Sequence, residues 1–279
     1  MIDTHAHLDF PDFDADREAM LARAAQAGVT EIISIGTRLD SSANAVDLAA
    51  RYTGEATADI GTAMPAVWAT VGVHPGEADT VPSTASGDSA DWIDELRRLA
   101  SHPRVVAIGE IGLDYHHLPS EKMPQGLDGG ASSDAEEADR AYKAQQEQVF
   151  RRQLDLAVEL GLNVVIHQRD SWDDTLAILS DYRGRVRGVF HCFGGTEEQA
   201  QALFQQGHLV SFTGIVTFKN AKQVQASVLA VPAWSFMLET DCPYLAPVPH
   251  RGKRCEPAHT ARTAEYIAQA RGISVEELS

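Results

Sequence analysis

The sequence predicts an α/β fold, a single (β/α)8 TIM barrel spanning residues 1–279, from three observations. Eight short apolar runs recur along the chain, each followed by a polar or glycine-rich stop and then by a helical pattern. The runs are nearly continuous in hydrophobicity, as expected of parallel strands buried on both faces. Eight strand–helix units in a chain of this length are typical of such a barrel. The alternative is an open doubly wound sheet, which is disfavoured because no G-x-G-x-x-G turn follows the first run.

The predicted elements follow in chain order. The eight strands are Met1–His5, Glu31–Gly36, Val67–Gly72, Val105–Glu110, Asn163–His167, Gly188–His191, Leu209–Phe212 and Phe236–Glu239. Asp14 is expected to cap a helix that runs to Ala27 and ends at Gly28, and Thr196 is expected to cap another that ends at Gly207. These caps support the alternation of strands and helices.

Two stretches are expected to be insertions on this frame. Thr80–Asp91 is rich in Ser, Asp and Gly, and Leu118–Asp139 combines glycines with an excess of acidic residues. The second stretch therefore predicts a mobile, solvated loop, for which a surface excursion without function is the simpler interpretation.

Composition excludes several classes of protein. The hydrophobic fraction of 44% allows a buried core, and no apolar run reaches the length of about 18 residues that a membrane span requires. The first twenty residues are too acidic for a secretory signal, so we expect a cytoplasmic protein without a membrane partner. The net charge of −17 disfavours sequence-blind binding of nucleic acid. Three cysteines without framework spacing indicate reduced thiols and no zinc ribbon.

Histidines and acids gather at the predicted carboxyl ends of the strands, where active sites of barrels lie. His5 and His7 are two positions apart, so the alternation of a strand places both on one side. His167 and His191 end consecutive strands and suit a second cation. Glu110 ends the strand between the two groups, where a carboxylate could bridge two cations about 3.5–4 Å apart. The pattern predicts a two-metal site of nitrogen and oxygen ligands.

Asp241, after the eighth strand, is the strongest single candidate for a catalytic residue, and Glu110 is the second. A carboxylate facing two cations could hold a metal ion and accept the proton of an attacking water. The alternative for Asp241 is a purely structural role, as an acid that caps the turn before Pro243. His74 precedes Pro75 and is expected to line the pocket rather than to bind metal.

Basic residues concentrate after the eighth strand in an otherwise acidic chain. Arg251 and Lys253 could hold a phosphate oxygen, and Arg169 and Lys219, after strands five and seven, could add to this clamp. The alternative is an ordinary solvated loop. Four further histidines carry no motif and are expected at the surface or in loops: His102, His116, His117 and His208.

Taken together, these segments resemble the TatD family of metal-dependent deoxyribonucleases, within the amidohydrolase-type barrels. The resemblance spans nearly the whole chain and rests on motifs in order: Ile2–Asp9, Gly72–Pro75, Ile108–Tyr115, His167–Asp170, His191–Gly195, Glu239–Leu245 and Pro249–Gly252. It implies one metal ion on His5, His7, Glu110 and Asp241, and another on Glu110, His167 and His191. It also implies hydrolysis of DNA, commonly from a 3′ end, with Mg²⁺ or a similar divalent ion.

Three features depart from the family pattern. Cys255 stands where the family usually has Asn, and Leu118–Asp139 adds negative charge beside the fourth strand. Relatives usually continue beyond Ser279 into a last short helix, which is expected to be missing here.

The sequence therefore predicts a cytoplasmic phosphodiesterase with two divalent ions, Mg²⁺, Mn²⁺ or Zn²⁺, that acts on DNA ends or short single-stranded oligonucleotides. No obligate protein partner is indicated. One rival is a hydrolase of an amide, lactone or other ester. Many such barrels carry a carboxylated Lys where this chain has Glu110, which disfavours that rival. Another rival is a metal-loaded binding or scaffold protein.

Overall fold

Eight parallel strands form one sheet in the order in which they occur along the chain. The computed structural model describes residues 1–55, 64–82, 91–122 and 133–278. The strands are β1 Ile2–Ala6, β2 Glu31–Ser34, β3 Ala66–Val71, β4 Val105–Asp114, β5 Asn163–Arg169, β6 Gly188–Phe190, β7 Leu209–Phe212 and β8 Phe236–Leu238. Every neighbouring pair from β1 to β8 is parallel. The predicted (β/α)8 barrel is confirmed.

The barrel closes between β8 and β1 through the segment that follows β8. The Thr4 hydroxyl donates to the Leu238 carbonyl at 3.1 Å, and the Asp241 amide donates to the His5 carbonyl at 2.9 Å. Ala6 and Cys242 then form an isolated parallel bridge. Because this contact joins the two ends of the sheet, it brings the residues after β8 beside those of β1.

Helices alternate with the strands and cover the outside of the barrel. Their bounds are α1 Arg17–Gln26, α2 Leu39–Arg51, α3 Trp92–Ala100, α4 Ser133–Leu160, α5 Trp172–Ser180, α6 Glu197–Gln205, α7 Lys222–Ala230, α8 Thr260–Arg271 and α9 Val275–Leu278. The predicted cap of α6 is confirmed, since the Thr196 hydroxyl accepts from the Gln199 amide and the Gln199 side chain accepts from the Thr196 amide. Gly207 follows this helix with a φ of +87°.

The apolar faces of the strands and helices pack into one continuous core. Strand residues such as Ile32, Ile108, Ile166 and Phe212 are completely buried. They explain the near-continuous hydrophobicity of the strand sequences, because one face of each strand fills the barrel and the other packs against the helices.

The structure corrects three sequence predictions. α1 begins at Arg17, because Asp14 binds the Arg17 guanidinium at 2.7 Å instead of capping the helix. Of the predicted 118–139 loop, residues 133–139 form the first turns of α4, while 123–132 lie outside the described residues. His208 is buried, and its Nδ1 accepts from the Gly188 amide at 3.1 Å.

No described helix is long and apolar enough to cross a membrane.

Part of the predicted 80–91 insertion, residues 83–90, lies outside the residues that the structure describes. Thr80 itself ends a short 3-10 helix, Pro75–Thr80, that leads away from β3.

Candidate active site

Glu110 lies at the centre of the site, in the middle of β4 rather than at its end. The register of β4 against β5 shifts between Ile108 and Ile111, which marks a bulge at this position. Such bulges re-aim side chains and are frequent beside active sites. Beyond the bulge, β5 approaches so closely that a Cβ on Gly112 would lie 2.0 Å from the His167 carbonyl oxygen. A glycine is therefore required there.

The two carboxylate oxygens of Glu110 face different histidines. Oε1 lies 2.8 Å from both His167 Nδ1 and His191 Nε2, whereas Oε2 lies 3.5 Å from His5 Nε2. The Glu110 side chain is only 4% exposed. Glu110 thus lies between two imidazole groups, and its bridging of two cations stays a prediction.

Asp241 joins the histidines of β1. Its Oδ1 lies 3.4 Å from His7 Nε2 and 3.6 Å from His5 Nε2. The Asp241 side chain is 14% exposed, so it borders the cavity above while His5 lies completely buried below. The sequence-predicted group of six, His5, His7, Glu110, His167, His191 and Asp241, is brought together at one mouth of the barrel.

Several ring nitrogens of this group are buried without a hydrogen-bond partner among the described residues. They are both nitrogens of His5 and the Nδ1 atoms of His7 and His191. The separations of 3.4–3.6 Å around His5 Nε2 and Asp241 are too long for hydrogen bonds. They suit ligand atoms around a shared cation, since ligands about 2.1 Å from an ion stand roughly 3–3.5 Å apart. The donor set therefore fits divalent metal ions.

Charge complementarity sets the protonation of this group. Burial alone would raise the pKa of Glu110, but the charge of the neighbouring His191 and the hydrogen bond of His167 hold that pKa well below its usual range. Burial would lower the pKa of His191, but the Glu110 carboxylate raises it to about 10. The Glu110 carboxylate thus favours protonated imidazoles around it. Bound cations would take the place of these protons.

Two further acids support the histidines, and the sequence predictions missed both. Asp114 Oδ2 lies 3.0 Å from His167 Nε2. Glu239 is almost fully buried and accepts from the Cys192 amide and the Ser211 hydroxyl, both at 2.6 Å. Its Oε1 also lies 3.8 Å from His191 Nδ1. Acids in this position behind metal-binding histidines fix their orientation and raise their basicity.

His74 lies at the edge of the same group. Its Nδ1 accepts from the Gly76 amide at 2.9 Å, so the neutral ring carries its proton on Nε2. That Nε2 lies 3.4 Å from Glu110 Oε1. Burial lowers the pKa of His74, which favours this neutral donor. His74 is not among the residues that line the cavity, and with Asp114 and His167 it forms a group that could itself hold a cation, so its expected role as a pocket-lining residue stays a prediction.

Strained backbone concentrates at this end of the barrel. Among the described residues, four that are not glycine have a positive φ: Asp170, Cys192, Asp241 and Leu245, with φ values of 49–60°. All four line the cavity of about 1000 Å³ above the cluster. Such conformations persist where the surrounding structure enforces them, and they cluster at functional sites.

The predicted phosphate-binding residues do not all reach this cavity. Arg169 lines it, together with Lys143 of α4, which the sequence predictions missed. The exposed Lys219, Arg251 and Lys253 are not among its lining residues. Arg251 instead stacks on the Phe218 ring at 4.2 Å. For these three, a phosphate contact stays a prediction.

The sequence profile of the family described as "TatD related DNase" matches residues 2–279. The chain belongs to the TatD family. An uncharacterized metal-dependent hydrolase of Bacillus subtilis, YabD, is 34% identical over 280 residues, which cover 100% of this chain and 94% of YabD. The 3'-5' ssDNA/RNA exonuclease TatD of Cronobacter sakazakii is 34% identical over 283 residues, which cover 98% of this chain and 90% of the relative.

Solved structures agree with this TatD assignment. The crystal structure of YjjV, a TatD homologue from Escherichia coli, superposes with a TM-score of 0.78 at 29% identity and covers 100% of this chain and 93% of YjjV. A TatD family hydrolase from Entamoeba histolytica shares the fold at a TM-score of 0.77 and 24% identity, over 100% of this chain and 93% of that chain. The resemblance deduced from the sequence is confirmed, and this TatD protein is a metal-dependent hydrolase.

Proposed function

We propose that this TatD protein is a phosphodiesterase that uses two divalent cations to hydrolyse DNA from its ends, with single strands or short oligonucleotides as substrates. One observation carries the proposal. The two oxygens of Glu110 face separate histidine groups, His167 with His191 on one side and His5 on the other. A carboxylate placed to bridge two cations in this way is typical of two-metal hydrolytic sites.

The residues divide between two cation positions. His5, His7, Glu110 and Asp241 would hold one ion, and Glu110, His167 and His191 would hold the other. Divalent ions bound there would lower the pKa of water and offset the negative charge of a phosphodiester. Imidazole and carboxylate ligands suit Zn²⁺, Mn²⁺ or Mg²⁺.

The side chains of the protein supply orientation and a proton acceptor. Asp241 borders the cavity, and its pKa is lowered because nearby His7 and His5 outweigh the effect of burial. It is therefore ionised and placed to accept the proton of an attacking water. His74 carries its proton on Nε2, which faces Glu110 Oε1, so it would help to hold that carboxylate in place. Arg169 offers a guanidinium at the cavity wall for an adjacent phosphate.

A nucleic-acid end as substrate draws support from the relatives. The Cronobacter sakazakii relative bears the name of a 3'-5' exonuclease of single-stranded DNA and RNA. The net charge of −17 agrees with local binding of an end rather than with wrapping of a duplex. Polarity from the 3′ end is part of the same proposal.

The test combines elemental analysis with digestion. Purified protein is analysed for bound metals and then incubated with single-stranded DNA labelled at either end, under Mg²⁺, Mn²⁺ or Zn²⁺. We expect two ions per chain and stepwise loss of nucleotides from the 3′ end. Hydrolysis of lactones or amides without cleavage of DNA would identify the rival ester or amide hydrolase. Metal content without hydrolysis of any substrate would instead favour a binding protein.

A further inference from the structure

An exposed aromatic ring borders the site and takes no part in the chemistry described above. Tyr244 is 54% exposed, although it lines the cavity and lies only three positions after Asp241. Its amide donates to the Asp241 carbonyl at 3.0 Å, which ties its backbone to that of the proposed proton acceptor. The exposed ring therefore lies where a substrate that enters the cavity would meet it.

The ring of Tyr244 continues an aromatic stack that begins at the metal cluster. Phe10 stacks on His7, with ring centroids 4.8 Å apart and an interplanar angle of 26°. Tyr244 then meets Phe10 edge to face, with centroids 6.0 Å apart. Phe10 is partly buried and links the Tyr244 ring to the His7 ring. The three rings therefore lead from a candidate ligand, His7, to the rim of the cavity.

We propose that Tyr244, supported by Phe10, is a stacking surface for one unpaired nucleobase of the substrate. The inference rests on the proposed function and adds to it the residue that would bind one base of the single strand. Every nucleobase has a π face, so stacking tolerates any sequence, and a base already stacked inside a duplex cannot use the surface. Because the chain is strongly acidic, a contact that needs no protein cation is well suited to hold the strand.

The experiment pairs a protein variant with a substrate variant. Wild-type protein and Tyr244→Ala are compared on a single-stranded hexathymidylate and on copies in which an abasic tetrahydrofuran residue replaces each of the terminal three nucleotides in turn. Stacking contributes about 1–3 kcal/mol per base, so we expect Tyr244→Ala to lower kcat/KM about 5- to 150-fold on the intact strand. This loss should disappear at the one abasic position whose base faced Tyr244. Tyr244→Trp should retain the wild-type value.

The control is Trp234, the most exposed large apolar side chain among the described residues at 74%. It lies before β8, at the opposite end of the barrel, so Trp234→Ala should leave kcat/KM unchanged. Wild-type cleavage of the intact strand tests the proposed function by itself. Given that cleavage, a Tyr244→Ala loss that is equal at every abasic position, or no loss at all, would overturn the stacking surface.

Discussion

Asp114 Oδ2 lies 3.0 Å from His167 Nε2, on the side of the ring that faces away from Glu110. An acid at this point fixes the tautomer, since it holds the proton on Nε2 and leaves the Nδ1 lone pair free to bind a cation. Asp114→Asn should therefore weaken metal binding about 10- to 100-fold, the effect expected when such a supporting acid is lost.

Isothermal titration of the metal-free protein with Mn²⁺ measures this prediction. The matched control is Asp47→Asn, which removes an exposed carboxylate on α2 that belongs to none of the candidate metal groups. Equal Mn²⁺ affinity in wild type and Asp114→Asn would show that Asp114 does not support His167.

Asp241→Asn tests the proton acceptor. The amide keeps the shape of the side chain but cannot take a proton, so kcat on single-stranded DNA should fall about 10²- to 10⁴-fold. Metal content, measured on the same sample, separates this effect from loss of an ion. The circular dichroism spectrum should stay unchanged, because the Asp241 carboxylate is not part of the apolar core. Turnover equal to that of wild type would refute the role of Asp241.

The cavity-lining Arg169 is expected to matter more for substrate binding than the exposed Lys253. A hydrogen bond from a guanidinium to phosphate is worth at least about 1.5 kcal/mol, so Arg169→Ala should raise KM about tenfold. Lys253→Ala should change KM less than threefold, because an exposed charge is screened within about 8 Å at physiological salt. A larger effect of Lys253→Ala than of Arg169→Ala would contradict this expectation. It would instead support the phosphate-binding role that the sequence predicts for the segment after the eighth strand.

Metal binding should stabilise the fold, because the ions would bind the folded site and not the unfolded chain. At a concentration one hundred times its Kd, Mn²⁺ should add about 2.7 kcal/mol to the free energy of unfolding, and EDTA should remove this gain. Glu110→Gln should unfold at the same denaturant concentration with and without Mn²⁺, whereas Asp47→Asn should respond as wild type does. A response to Mn²⁺ that persists in Glu110→Gln would place the ions elsewhere.

The sequence was sufficient to locate the six central side chains, because strand alternation and strand ends are local properties. His5 and His7 share a face by their spacing alone. Asp114 was missed because β4, which contains the bulge, continues four residues beyond its predicted end at Glu110. The spacing of positions 110, 112 and 114 along one strand was the signal that could have identified it. Lys143 could not be found in this way, because its place at the cavity depends on how the long α4 packs.

His208 gives the fold a pH dependence that lies outside the active site. It directly precedes β7 and is 2% exposed, and burial lowers its pKa to about 4, against 6.5 in the unfolded chain. Between these two values the unfolded chain binds a proton that the folded protein excludes. The free energy of unfolding must therefore fall as the pH is lowered from 6.5 to 4, and the difference of about 2.5 in pKa corresponds to about 3 kcal/mol.

His208→Asn removes the titrating group but keeps an acceptor for the Gly188 amide at the position of Nδ1. The variant loses some packing against Phe190 at every pH, since the two rings lie 5.8 Å apart in the wild type. Its free energy of unfolding, measured by urea denaturation, should fall by about 3 kcal/mol less than that of wild type between pH 6.5 and 4. His117→Asn, which changes an exposed histidine, should follow the wild-type curve. Parallel curves for wild type and His208→Asn would contradict this prediction. They would show that burial does not lower the pKa of His208 in the folded protein.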